Sequence, residues 1–246
     1  MKRALVLALV FLTRVPIPVR FTPEPADWGR SVVCFPLVGL FIGFLLLILY
    51  GLLGSIADGV AAVLLLTVWV LLTGALHLDG LADAADAWVG GLGDRERSLA
   101  IMKDPRSGPF AIVMVVLVLL GKFAALQALI EQGDWRAILL APVLGRAAIL
   151  GILLTTPYVR HRGVGAAHAD HLPHASCRLA LLGIVILVAL LEGWRGLLTL
   201  MALGLALCGF RSLLITRLGG ATGDTLGAAC ELTEVAGLLL AVIAAC

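Results

Sequence analysis

Long apolar segments, each close to the length that crosses a lipid bilayer, recur along almost the whole of this 246-residue chain. They cover roughly residues 31–53, 59–76, 109–130, 137–156, 179–191, 196–214 and 235–246. The fifth and seventh are shorter than the roughly 20 residues that a span needs, and we expect the seventh to extend backwards through 225–234. With 61% hydrophobic and 14% charged residues, the chain does not have the composition of a soluble domain. Since the apolar runs are unbroken rather than alternating, a transmembrane β-barrel is disfavoured. The sequence therefore predicts one all-α domain, a polytopic integral membrane helical bundle with about seven transmembrane segments.

The N-terminus carries a short apolar run, Ala4–Leu12, behind Lys2 and Arg3. A charged start before an apolar run resembles a secretory signal, but no pair of small residues follows to be cleaved. Nine apolar residues are too few to cross a hydrocarbon core about 30 Å thick. We expect a short N-terminal helix at the membrane interface.

The lysines and arginines are distributed unevenly between the two sides of this bundle. With the N-terminus inside, fourteen of the eighteen lie in inside segments and two, Arg136 and Arg195, lie in outside loops. Lys and Arg favour the cytoplasmic side, so we predict a multi-pass protein of the cell inner membrane in this orientation. The polar stretches 79–86, 94–108, 157–178 and 217–234 then share the cytoplasmic face, where a site could be assembled from helix ends.

The most distinctive polar feature is an acidic stripe formed by Asp79, Asp83 and Asp86. Spacings of four and seven residues place these carboxylates within about 60° of one another around a helix. Like charges in this arrangement repel, which a divalent cation would relieve. Hard oxygen ligands suit Mg²⁺ or Mn²⁺. The stripe therefore predicts a site for a divalent cation, and the alternative is a solvated acidic helix end.

A second acidic stretch begins at Asp224 and continues to Glu231 and Glu234. Asp224 is a favourable N-cap residue, and a helix beginning there carries Glu231 on nearly the same face. The two acidic stretches could together hold metal around a diphosphate. The alternative is a capping aspartate followed by two solvated glutamates.

Four cations are candidates for binding phosphate. Lys103 and Arg106 lie in a glycine-containing loop, although the positive-inside rule alone explains loop cations. Lys122 and Arg146 lie well inside apolar segments, where an unpaired charge is costly and a functional role is expected. We predict that Arg146 contacts substrate phosphate or the acidic stripe, whereas Lys122 could instead extend its ammonium to the interface.

The histidines fall into two groups. His77 adjoins the acidic stripe but points nearly opposite to Asp79 if the helix continues through Gly80. The other four, His161, His168, His171 and His174, share a loop that we interpret as a flexible linker rather than a metal site.

Five segments together resemble one family. They are Phe11–Pro18, Phe35–Gly39, His77–Asp83, Ile101–Asp104 and Thr222–Ala228, and a weaker match includes Pro157, Tyr158, Arg160 and Gly163–Gly165. In this order and spacing they resemble the cobalamin synthase family, whose members are adenosylcobinamide-GDP ribazoletransferases. The chain departs from the family pattern at Pro105 and Ala111, where serine and glycine are more usual.

The resemblance implies the last step of nucleotide-loop assembly in cobalamin. Adenosylcobinamide-GDP and α-ribazole, or its 5′-phosphate, are the expected substrates, GMP is released, and Mg²⁺ is the expected cofactor. The ribazole 5′-oxygen attacks phosphorus, and a carboxylate or His77 takes its proton. The implied metal ligands are Asp79, Asp83, Asp86, Asp224 and Glu231. The implied substrate contacts are Lys103, Arg106, Lys122, Arg146, Thr222 and Gly223.

Three alternatives belong to other classes. UbiA-like prenyltransferases and CDP-alcohol phosphotransferases are also membrane enzymes with aspartate-rich helices, although the latter place an arginine that is missing after Asp79. A cation transporter would use the acids as an ion path. A net charge of +2 gives no indication of nucleic acid binding, and the sequence leaves the oligomeric state open.

Overall fold

The fold was taken from a computed structural model that describes residues 2–54, 56–160 and 163–245, with only the backbone of residue 245. Over these residues the secondary structure consists of eleven α-helices. They are α1 (Lys2–Leu12), α2 (Pro25–Val32), α3 (Phe35–Leu53), α4 (Asp58–Thr73), α5 (Leu76–Gly90), α6 (Arg95–Ile101), α7 (Pro109–Gln132), α8 (Trp135–Thr155), α9 (Val164–Asp170), α10 (His174–Leu218) and α11 (Gly223–Ala245). The all-α class and the short N-terminal helix are as the sequence predicts.

Five of these helices, α3, α7, α8, α10 and α11, are long and apolar enough to cross a membrane. Helices α4 and α5 pass the same test only as a bent pair, which brings the number to six. Helix α10 is interrupted at Gly193, whose φ of 61° and ψ of −140° are not helical. Its 45 residues would extend about 68 Å as one rod, more than twice the bilayer core. Seven spans require the two halves of α10 to count separately, so that number stays a prediction.

Helix α8 is the central helix of the bundle. In α8, 83% of the most apolar stretch is buried, against 17% to 56% in the other four spanning candidates. Helices α3 and α11 pack closely on it because small residues face it. A Cβ atom on Gly39 would collide with the Pro142 carbonyl, and one on Gly43 would collide with that of Leu139. A helix that is apolar all round belongs in such a buried position.

The acidic stripe does not lie on the end of the second span, as its position in the sequence suggested. Gly74 and Ala75 both adopt left-handed backbone conformations, which end α4 and start α5 in a new direction. The two helix axes differ by 86°. Helix α5 is therefore a separate helix that turns sharply away from the direction of α4, and it runs unbroken through Gly80.

Candidate active site

Two glycines let α5 and α11 cross at very short distance. A Cβ atom on Gly80 would lie 2.9 Å from the Asp224 carbonyl oxygen, and one on Gly227 would lie 3.1 Å from that of His77. Both distances are too short for a side chain, so larger residues would separate the helices. This contact brings the two acidic stretches together, because Asp79 flanks Gly80 and Asp224 opens α11.

The start of α11 is built by backbone pairing and by two threonines. Tyr158 and Ala221 form an isolated parallel β-bridge. Thr222 Oγ1 accepts a hydrogen bond from the Thr225 amide at 3.2 Å, and Thr225 Oγ1 accepts one from the Thr222 amide at 2.8 Å. Thr222, not Asp224, thus caps the helix, and since Thr222 is fully buried it supports the site from behind rather than contacting substrate.

The Asp224 carboxylate is consequently available to other partners. Arg160 Nη2 donates to Asp224 Oδ2 at 2.6 Å, in an ion pair that is only partly buried. The same nitrogen lies 3.4 Å from the Met102 carbonyl oxygen. The β-bridge two residues earlier positions Arg160 for these contacts. The alternative interpretation of Asp224 as the N-cap residue therefore does not hold, and its side chain faces the site.

Negative charge is in excess around Arg160. The charge of Asp83 is opposed by those of Asp224, Asp79 and Asp86 and favoured only by Arg160. Asp224 is likewise opposed by Asp79. Carboxylates from two helices thus face one arginine, and the arrangement favours binding of a further cation.

A cavity of about 280 Å³ opens beside these acids. Its polar wall is formed by His77, Asp79, Asp224, Tyr158 and Arg160, together with Gly163, Gly165 and Gly223. Its apolar wall is formed by Phe11, Phe35, Leu76, Ile149, Leu153 and Leu226, with Val164 and His168. A concave site with a few convergent polar groups on an apolar background is typical of small-molecule binding.

Tyr158 and Gly165 define one side of this cavity. Tyr158 Oη accepts a hydrogen bond from the Gly223 amide, and burial raises the pKa of this phenol. A Cβ atom on Gly165 would collide with the same oxygen. The glycine therefore lets the phenol reach Gly223.

His168 is buried, contrary to the interpretation of its segment as a flexible linker. Residues 164–170 form α9, and the imidazole makes edge-on contacts with Phe11, Trp28 and Phe35 at ring separations of 5.0 to 5.6 Å. Burial lowers the pKa of His168 to about 4, so the ring is neutral at physiological pH. His161 lies outside the described residues.

The carboxylates fit Mg²⁺ in the way this ion usually binds at phosphate-transfer sites. Among the described residues, no three His, Cys, Asp or Glu side chains converge closely enough to hold a metal ion unaided. Mg²⁺ commonly uses one or two carboxylates and completes its shell with water and substrate phosphates. Asp79 and Asp224 supply hard oxygens at the cavity and Asp83 lies near them, so one or two of these carboxylates suit such a partial shell.

Asp86 has a different environment from the rest of its stripe. Its Oδ1 accepts a hydrogen bond from the Ala111 amide at 2.8 Å, and its Oδ2 accepts one from the Gly108 amide. Residues 108–111 form the start of α7, whose unpaired amides need acceptors. Asp86 thus caps α7 from another helix, and the structure gives it a supporting position rather than that of the predicted metal ligand.

Lys122, Arg146 and Glu231 lie in a buried ion-pair cluster with Glu234, away from the cavity wall. Lys122 Nζ is 2.7 Å from Glu231 Oε2 and also pairs with Glu234, which in turn pairs with Arg146. Lys122 additionally lies over the Trp69 ring, 4.5 Å from its centre. The cluster neutralises two cations with two anions inside the bundle. These charges are thus paired with one another and need neither substrate nor metal. The sequence analysis had instead assigned Lys122 and Arg146 to substrate and Glu231 to metal.

The remaining predicted residues are less tied to the cavity. Lys103 and Arg106 are exposed and are not among the residues that line it, and Arg106 pairs with Asp104 at 2.7 Å. That arginine lowers the pKa of Asp104 to about 2. His77 does line the cavity, although it is buried and its Nδ1 has no hydrogen-bond partner among the described residues.

Arg160 and Tyr158 are site residues that the sequence analysis did not select. Both belong to the weaker of the family matches, and Arg160 was otherwise one inside cation among fourteen. Their position depends on the pairing of residues 157–159 with Ala221, which no local pattern indicates.

Comparison with known proteins matches residues 4–242 to the family described as cobalamin-5-phosphate synthase. The adenosylcobinamide-GDP ribazoletransferase of Pseudomonas putida (strain W619) is 55% identical over 239 residues, which cover 96% of this chain and 98% of that protein. The enzyme of the same name from Pseudomonas aeruginosa is 53% identical, with 96% of both chains covered. No solved structure matches this chain.

Proposed function

This chain belongs to the cobalamin-5-phosphate synthase family, and we propose that it joins adenosylcobinamide-GDP to α-ribazole or α-ribazole 5′-phosphate and releases GMP. The observation that carries the proposal is the match of nearly the whole chain to relatives named for this activity. The cavity supports it chemically, because carboxylates and an arginine surround one space as the cleavage of a diphosphate requires.

The reaction is a displacement at phosphorus. The attacking atom is a free ribose hydroxyl oxygen of ribazole rather than the expected 5′-oxygen, because the 5′-oxygen already carries phosphate in α-ribazole 5′-phosphate. This hydroxyl oxygen forms a new bond to the phosphorus on the cobinamide side, the bond from that phosphorus to the GMP oxygen breaks, and the hydroxyl proton passes to a base. Asp79 is exposed at the cavity and is the carboxylate placed to accept this proton. His77, which lines the same wall, is the other candidate base.

Charge on the diphosphate would be balanced by an arginine from the segment between α8 and α9 and by a metal ion held by carboxylates of α5 and α11. Arg160 and the Tyr158 hydroxyl are positioned to contact phosphate oxygens, with Arg160 held in place by Asp224. Asp83 and Asp224 would hold Mg²⁺, with Asp79 left to accept the proton, and the bound ion would stabilise the negative charge that develops on the phosphates. Lys122, Arg146 and Glu231 support the bundle in this proposal, since they are satisfied by one another and Glu234.

The test is the formation of GMP by the purified protein in lipid vesicles. We expect GMP in amounts equal to the cobamide product, only when both substrates and Mg²⁺ are present. Asp79→Asn should lower the rate strongly, whereas the matched control Asp58→Asn, at an exposed helix start outside the cavity, should not. If a thermal unfolding measurement shows that the protein is folded, and no GMP forms with both substrates and Mg²⁺ present, the proposal is contradicted.

A further inference from the structure

A second and larger cavity, outside the candidate active site, forms a groove between α3 and α10. Its volume is about 700 Å³. Its lining residues are predominantly apolar or small, and they are Ala4, Arg30, Val33, Cys34, Pro36, Leu37, Leu40, Val143, Pro173, Ser176, Leu179, Ala180, Gly183, Ile184 and Leu187. The reaction described above uses none of these residues.

The length of the groove corresponds to one leaflet of a bilayer. Along α10 its lining runs from Ser176 to Leu187, twelve residues whose eleven steps rise about 16 Å in a helix. Half of the hydrocarbon thickness is about 15 Å. Because α3 and α10 both expose large apolar side chains next to it, such as Leu37 and Leu179, the groove lies on the lipid-facing side of the bundle. An acyl chain fits its length and chemistry.

One end of the groove carries positive charge. Arg30 lines this end, is exposed, and forms no ion pair within the described residues. The Ser176 hydroxyl lines the groove as well. A phosphate at this position would meet the Arg30 guanidinium and a hydroxyl donor. Basic residues at the mouth of a crevice between membrane helices are suited to anionic lipid headgroups.

We propose that this groove binds one anionic phospholipid of the surrounding leaflet, with an acyl chain between α3 and α10 and its phosphate at Arg30. The apolar length selects a lipid over a free anion, and the charge at the mouth selects an anionic over a zwitterionic headgroup. One basic residue near the headgroup corresponds to a preference of about fivefold. The proposal is independent of the reaction assigned to the other cavity.

The groove and the active-site cavity share structural elements, which gives the lipid a stabilising role. On α3, Cys34 and Pro36 line the groove while Phe35 between them lines the cavity. On α2, Arg30 lies at the groove and Trp28 contacts His168. A lipid in the groove therefore packs against the back of the wall that Phe35 and His168 form.

The experiment uses the full-length protein in detergent, supplied with equimolar phosphatidylglycerol and phosphatidylcholine. Lipid retained after gel filtration is counted by native mass spectrometry. Gly183→Phe fills the groove, because a Cβ atom on Gly183 meets open space. Gly204→Phe is the matched control, since Gly204 also meets open space on α10 but does not line the groove. Arg30→Gln removes the charge at the mouth.

We expect one phosphatidylglycerol per chain in the natural protein and in Gly204→Phe. Gly183→Phe should lose it, and Arg30→Gln should lower the preference for phosphatidylglycerol about fivefold, to near parity. Equal retention in Gly183→Phe and the control would overturn the proposal, as would an unchanged preference in Arg30→Gln. If a second copy of the chain occupies the groove instead, the natural protein should have twice the mass of one chain, and Gly183→Phe should have the mass of one chain. That result would also overturn the proposal.

Discussion

The four aspartates near the crossing of α5 and α11 differ in what surrounds them. Asp79 is exposed at the cavity, Asp83 is opposed by three neighbouring carboxylates, and Asp224 is paired with Arg160. Asp86 instead accepts two amides at the start of α7. Some of these aspartates are thus placed to take part in the chemistry of the site, whereas Asp86 supports the fold around it. Single substitutions can separate these two roles.

The first prediction concerns Asp83, at the middle of the acidic stripe. Asp83→Asn should lower kcat by about 10²-fold or more, because a carboxylate that stabilises charge in the transition state is lost. It should leave the unfolding temperature unchanged or slightly raised, since it removes one of several mutually repelling charges. Steady-state GMP release and thermal unfolding in detergent measure the two effects. Near-normal turnover at saturating Mg²⁺ would show that Asp83 is only a solvated acid.

The second prediction tests whether the two acidic stretches act as one site. Asp83→Asn/Asp224→Asn should be little slower than the slower single variant, because residues that act as a unit are strongly non-additive. The structure makes Asp224→Asn informative, since Thr222 rather than Asp224 caps α11. A double-mutant cycle on kcat/KM provides the measurement, and additive losses in free energy of activation would indicate two independent sites.

At the scale of the helices, two elements are held in place by polar contacts from elsewhere in the chain. Helix α7 begins against Asp86 of α5. Deeper in the bundle, Lys122 of α7, Arg146 of α8 and two glutamates of α11 form one charge-neutral cluster. Both contacts join α7 to helices that carry or support the site. They therefore couple the geometry of the site to the membrane-embedded core.

The third prediction separates capping from metal binding at Asp86. Asp86→Ala should destabilise the protein by about 1 kcal/mol, as loss of a helix cap does. Asp86→Asn should recover only part of this loss, because an amide side chain has one acceptor oxygen for the two backbone amides that Asp86 accepts. Thermal unfolding of both variants provides the comparison. If Asp86→Asn keeps its stability but loses Mg²⁺-dependent turnover, Asp86 is a metal ligand as well as a cap.

The fourth prediction concerns the buried cluster. Lys122→Met should destabilise the protein by about 3–5 kcal/mol, because it leaves two buried carboxylates facing one arginine. Lys122→Met/Glu231→Gln should recover part of this loss, since one of the unpaired charges is then removed. Lys103→Met, at an exposed lysine, is the control for unfolding temperature. A raised KM with unchanged stability in Lys122→Met would instead support the substrate-binding role predicted for Lys122.

At the scale of the whole molecule, polar groups outside the buried cluster line two separate cavities. Asp79, Arg160, Gly163 and Asp224 line one cavity, so three of the polar stretches predicted to share a face do meet. Asp134, Glu192 and Arg195 line a separate small cavity. From the distribution of Lys and Arg, we predict that the first group faces the cytoplasm.

The fifth prediction is that this orientation holds in the cell. Single cysteines at Arg97 and Ala175 should be protected from a membrane-impermeant thiol reagent in intact cells, and cysteines at Gln132 and Arg195 should be labelled. All four positions are exposed. The natural chain, treated with the same reagent, is the control for labelling of its own cysteines. Among the described cysteines, Cys208 is the exposed one. Labelling at Arg97 or Ala175 from outside would reverse the topology.

The sequence by itself determined the helical membrane architecture, the family and the acidic stripe, because each depends on local composition, on spacing within one helix or on motifs. An i, i+4 spacing places Asp79 and Asp83 on one face wherever the helix lies. What only the tertiary structure decided is which partner each charge meets. The Gly80–Gly227 contact brings Asp224 to the stripe, the pairing of Tyr158 with Ala221 brings in Arg160, and Glu234 satisfies Arg146 and Lys122. These partners are distant along the chain, and the close packing of helices, not any periodicity, selects them.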